Sequence, residues 1–74
     1  MGKSIYSKEY ESILKQLKKA RIEAGLTQKA VAEKMKRPQS YISKCESGER
    51  RLDIIELIEL AKLYKKPLSF FVGN

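Results

Sequence analysis

The stretch from Thr27 to Gly48, TQKAVAEKMKRPQSYISKCESG, sets the tightest limits on what this chain can fold into. Leu26 can fold over Val31 as a hydrophobic staple, while Thr27 caps the free N–H groups of a first helical turn. Val31, Ala32 and Met35 then recur at helical spacing. Pro38 keeps Arg37 out of the helical region, so this helix stops near Lys36. A joint of about four residues follows. The pattern then predicts a second helix of about two turns, and Gly48 supplies the left-handed residue that ends it.

On a wheel of about 100° per residue, the second helix sorts its residues by chemistry. Tyr41, Ile42 and Cys45 fall on one side, and Gln39, Ser40, Ser43, Lys44 and Ser47 on the other. The outward set has hydrogen-bonding side chains, one cation and no acid. In the DNA major groove Gln can bond adenine bidentately, Lys can reach guanine O6 and N7, and Ser suits either. An ordinary solvated face is the other reading of these five residues, and alone they do not separate the two.

The neighbouring segments do. Arg21 to Gln28 reads R-I-E-A-G-L-T-Q, and Val31–Ala32 follow in register. Pro38 to Arg50 reads P-Q-S-Y-I-S-K-C-E-S-G-E-R, and Leu57 to Lys62 reads L-I-E-L-A-K. From about Leu17 to Val72 this series resembles the Cro/C1-type (XRE-like) helix-turn-helix regulators. The resemblance implies an all-α, compact five-helix, repressor-like DNA-binding domain. It also implies that Arg21 and Glu46 pair to lock the first helix to the recognition helix, and that the loop with Arg50 and Arg51 touches the DNA backbone. Two positions depart from the family pattern. Lys36 stands where Gly is common in the turn, and Cys45 where a larger aliphatic residue is usual, which predicts strain at one and looser packing at the other.

The chain has 74 residues, a formal charge of +7 and a sequence pI near 9.7, in the range of nucleic-acid binders. Residues 1–26 carry six Lys/Arg against three acids, residues 27–51 seven against three, and residues 52–74 three against three. The excess charge therefore surrounds the two-helix unit. A single cysteine and no histidine leave no internal disulfide and no usual zinc site, so neither metal nor cofactor is expected. The apolar runs are too short for a membrane span, and no signal-peptide pattern opens the chain. A reducing cytoplasm is the expected setting.

Residues 1–6 show no periodicity and read as a loose, mildly basic lead to a domain over 7–74. Ser7 can cap a helix with Glu9 and Glu11 in its first turn. Tyr10, Ile13, Leu14, Leu17, Ala20 and Ala24 form its apolar stripe, and Gly25 ends it. Arg21 falls within that stripe, where a guanidinium needs a partner or a path to solvent. Glu46, at the edge of the second helix's buried side, is the best-placed acid. Asp53 and Glu56 form an acidic capping box, stapled by Leu52 and Leu57. The helix that follows runs to about Tyr64, with Ile54, Leu57, Ile58, Leu60, Ala61 and Tyr64 on one face and Ile55 and Leu63 off it. Lys65 and Lys66 suit its negative end. Pro67 then permits a last turn with Leu68, Phe70, Phe71 and Val72, closed by Gly73.

These features predict a sequence-specific double-stranded DNA-binding transcriptional regulator. Gln39, Ser40, Ser43 and Lys44 are expected to read base edges, and Thr27, Gln28, Tyr41, Arg50 and Arg51 to contact phosphates. A homodimer on a palindromic site is expected, joined through Ile55, Leu63, Leu68 and Phe71. An antitoxin-like protein-interaction module on the same fold is the alternative; it predicts a large exposed apolar patch and weak DNA binding. Enzymatic chemistry has little to build on without histidine or a glycine-rich phosphate loop.

Overall fold

A computed structural model describes residues 7–72. The expected lead over 1–6 and the closing Gly73 lie outside the described residues. Five helices follow one another: α1 (Lys8–Glu23), α2 (Gln28–Met35), α3 (Gln39–Ser47), α4 (Ile54–Tyr64) and α5 (Ser69–Val72). No strand occurs among the described residues.

Each helix starts and stops for a local reason. Ser7 Oγ accepts the Tyr10 N–H at 3.1 Å, and Thr27 Oγ1 accepts the Ala30 N–H at 3.0 Å. Asp53 and Glu56 close a reciprocal capping box at the head of α4. Gly25 (φ +74°) ends α1, where the Leu26 N–H reaches the Arg21 carbonyl at 3.2 Å. The same six-to-one bond closes α2, from the Arg37 N–H to the Ala32 carbonyl, and α4, from the Lys66 N–H to the Ala61 carbonyl. The left-handed residue at those two ends is a lysine, Lys36 (φ 59°) and Lys65 (φ 60°). Lys36 thus takes the conformation that favours glycine, at a cost of about 1–2 kcal/mol. Nothing in the sequence signals the left-handed turn at Lys65, whose only mark there is a charge at the helix end.

The core gathers Leu14, Leu17 and Ala20 of α1, Val31 and Ala32 of α2, and Tyr41, Ile42 and Cys45 of α3. Leu57, Leu60, Ala61 and Tyr64 of α4 and Phe71 of α5 complete it, with Leu52 sealing the loop. The last turn is tied to α1 twice: Gln16 Nε2 donates to the Phe70 carbonyl at 3.1 Å, and Lys66 Nζ meets Glu23 Oε1 at 2.8 Å.

Several apolar residues sit where the wheel did not put them. Ile54, expected on the core face of α4, is 56% exposed. As the first helical residue it leans back past the helix start, where no turn lies beneath it. Leu63 and Leu68, expected at a self-contact, are half-buried and pack against the core. Leu63 closes the cleft between α4 and the α2 end, beside Met35. Phe71, expected at the centre of that contact, is 3% exposed. A ring already enclosed by its own chain has no surface left for a partner, so Phe71 is a core residue. Ala24, placed on the α1 stripe, lies exposed at the helix end.

Candidate nucleic-acid interface

The presenting element is α3. Its three inward residues, Tyr41, Ile42 and Cys45, are buried and fix its rotation. That leaves Gln39, Ser40, Ser43, Lys44 and Ser47 exposed along the opposite side. Pro38 (φ −65°, ψ 152°) stands at the N-cap and offers no side-chain cap, while its carbonyl accepts the Tyr41 N–H at 3.0 Å. The α2–α3 joint is Lys36 to Pro38, one residue shorter than expected. At the far end Gly48 (φ 89°) turns the chain. Ser47 Oγ donates to the Lys44 carbonyl and accepts the Glu49 N–H, both at 3.3 Å. Its hydroxyl is thus spent on the turn. The exposed row is therefore short, polar and free of acids.

Two charged borders hold this row in place. At one, Arg21 Nε donates to Glu46 Oε2 at 2.7 Å and Nη2 to Glu46 Oε1 at 3.2 Å, while Nη1 donates to the Leu26 carbonyl at 2.9 Å. Gln28 Nε2 adds a third donor to Glu46, at 3.0 Å on Oε1. Glu46 of α3 thus gathers α1 and α2 onto one carboxylate. The sequence points to Arg21 and Glu46 as a pair but to Gln28 as a phosphate contact. In the structure Gln28 is half-buried and its amide nitrogen is directed inward. Nothing in the local pattern marked that choice, because it depends on where α3 packs.

At the other border the Tyr41 ring carries two guanidinium groups, Arg37 at 4.5 Å and Arg50 at 4.7 Å from the ring centre. Arg50 Nη1 also donates to Glu56 Oε1 at 3.0 Å and to the Arg51 carbonyl at 3.1 Å. The same Glu56 oxygen accepts the Asp53 N–H at 3.0 Å. Arg50, expected only as a phosphate contact, therefore also braces the loop onto α4. The Tyr41 hydroxyl is enclosed, has no hydrogen-bond partner among the described residues, and is shielded from a phosphate. Burial, then the nearby Glu56, pushes this phenol far above its ordinary range. The buried hydroxyl thus departs from the Tyr41–phosphate contact that the sequence predicts. Arg51 remains exposed, its guanidinium 5.6 Å from the Tyr10 ring, and the Tyr10 hydroxyl accepts the Leu52 N–H at 2.8 Å. Arg37 was not singled out from sequence, although an arginine four residues before a tyrosine across a turn was the available signal.

Burial raises the Cys45 thiol above its ordinary value, which keeps it protonated and a poor nucleophile. Among the described residues no group of three or more Cys, Asp or Glu side chains is placed to hold a metal ion. No helix of the described residues is long and apolar enough to cross a membrane.

Comparison with known proteins agrees with this geometry. No curated protein and no solved structure matches the chain. A family model described as helix-turn-helix matches residues 17–71, well over half of the chain and inclusive of α2, α3 and both borders. The chain belongs to the Cro/C1-type helix-turn-helix family of DNA-binding regulators.

Proposed function

We propose that this protein is a sequence-specific transcriptional regulator that binds double-stranded DNA as a homodimer on a palindromic operator, within a reducing cytoplasm. Recognition helix α3 enters the major groove, where Gln39, Ser40, Ser43 and Lys44 read base edges. Thr27, at the head of α2, and Arg50 and Arg51, in the loop after α3, meet the phosphates on either side. The observation that carries this reading is the acid-free polar row of α3, fixed in rotation by three buried residues and at its borders by Glu46 and Tyr41.

Self-association moves from Phe71 to the head of α4. Ile54 and Ile55 are 56% and 59% exposed and adjacent, directly after the Arg50–Arg51 loop. A two-fold contact there would set two copies of α3 side by side, and operator half-sites in such dimers lie about 34–36 Å apart. Selection of bound duplexes from a random pool tests the whole reading. A palindromic consensus supports it, and absence of any enriched sequence overturns it in favour of a protein-interaction module. Sedimentation of the protein with and without the selected duplex, for wild type and Ile55→Asp, tests the dimer. A complex with one protein per duplex removes it.

A further inference from the structure

Arg37 lies exposed in the turn ahead of α3, the centre of its guanidinium 4.5 Å from the centre of the Tyr41 ring. The ring holds the cation by its charge, while the five N–H bonds of a guanidinium fan out in one plane as a fork for oxygen acceptors. Among the described residues no hydrogen bond or ion pair engages that fork. Glu59 lines the same cleft without forming an ion pair with it. Arg50, on the same ring, is different: Glu56 matches its charge and the Arg51 carbonyl fixes its place. The ring thus carries one matched cation and one unmatched cation.

The unmatched cation sits at a particular place on the surface. Around α3, Tyr41 is about 60° from Lys44 and about 140° from Glu46. The Glu46 border is neutralised by Arg21, so the uncompensated charge lies on the Tyr41 border, next to the base-reading row. We propose that Arg37 is a pre-aligned binding site for one DNA backbone phosphate beside the groove entered by α3, with Tyr41 as its platform and Arg50 as the positioning residue that holds the platform. A planar fork matches two oxygens of a phosphate, and a fork already held on the ring loses less freedom on binding. This rests on the DNA-binding reading above.

The test is the salt dependence of binding to the selected duplex, for wild type, Arg37→Gln, Arg37→Lys and Lys15→Gln. Lys15 is exposed on α1, away from the Tyr41 ring, on the side of the Glu46 border, and serves as a control for bulk charge. Arg37→Gln is expected to weaken matched and mismatched duplexes alike and to flatten the slope of log K against log salt by about 0.9. Arg37→Lys is expected to keep the slope and lose roughly two- to fivefold in affinity, because charge remains but the planar fork does not. Lys15→Gln is expected to keep the slope. The proposal is overturned if Arg37→Gln keeps the wild-type slope, if Arg37→Lys binds as wild type, or if Lys15→Gln flattens the slope equally. A lowered unfolding midpoint for Arg37→Gln with an unchanged slope also overturns it, making the ring contact a structural prop. Failure of the wild type to bind any duplex would refute the DNA-binding reading itself, which these variant comparisons leave standing.

Discussion

Arg21 and Glu46 face each other with two nitrogens on two oxygens, at 2.7 and 3.2 Å, and their side chains are only 11% and 5% exposed. An ion pair this enclosed is weak evidence for net stability, but breaking it leaves a buried charge behind. Arg21→Met or Glu46→Leu alone should cost about 3–5 kcal/mol. The two together should recover most of that loss, because apolar residues of similar volume can fill the site. Gln28→Ala, which removes one donor to Glu46, should cost only about 1 kcal/mol. Urea melts of the singles and the double decide this. Losses that simply add would mean the pair is not coupled.

A second prediction concerns the backbone of the turn. Lys36 holds φ 59° and ψ 45°, its side chain is exposed, and among the described residues that side chain makes no hydrogen bond. Lys36→Gly should therefore stabilise the domain by about 1 kcal/mol, after the greater freedom of glycine in the unfolded chain is subtracted. For a domain of this size that raises the thermal midpoint by about 4–8 °C. A lowered midpoint would show that the left-handed turn carries no strain.

Acid should release the loop brace. Burial pushes the Glu56 carboxyl up, but the Asp53 N–H and the Arg50 guanidinium outweigh it, and its pKa lies below the ordinary 4.5. The unfolded chain then takes up the proton at a higher pH than the native one. The stability from Glu56 is complete above the unfolded value and is lost as pH falls through the lower native value. Glu56→Gln keeps a capping-box side chain but loses the charge, so it should be less stable than wild type by about 1–2 kcal/mol at neutral pH. That difference should shrink as pH drops below the carboxylate range. Denaturant melts across pH would show it, and a constant difference would mean the carboxylate charge is not what holds Arg50.

The caps and the α3 face were legible in the sequence because each depends on residues a few positions apart. Ser7, Thr27, Asp53 with Glu56, and the inward trio Tyr41, Ile42 and Cys45 all follow from local spacing and wheel geometry. The exposed Ile54 and the enclosed Phe71 were not legible, because a wheel gives direction and says nothing of whether another helix lies in that direction. Gln28 and Arg50 show the same limit for polar groups. Each met a carboxylate that the chain brings from 18 or 6 residues away, and only packing selects that acceptor over solvent or a ligand. Left-handed Lys65 was hidden for another reason, since lysine gives no conformational signal of its own.

The division of labour along α3 supplies the last prediction. Gln39 and Lys44 are exposed on the acid-free row, and among the described residues neither side chain has a hydrogen-bond or ion-pair partner. Their polar ends are thus available to base edges, whereas Gln28 and Arg50 are partly committed inside the protein. Gln39→Ala or Lys44→Ala should weaken the selected duplex by about 1–3 kcal/mol and relax preference at one position in each half-site. Mismatched duplexes should lose much less. Arg51→Ala should instead weaken all sequences together and flatten the salt slope by about one unit. Titrations on matched and mismatched duplexes separate the two patterns. If Lys44→Ala lowers every duplex equally, Lys44 is a backbone contact, and base reading falls to Gln39, Ser40 and Ser43.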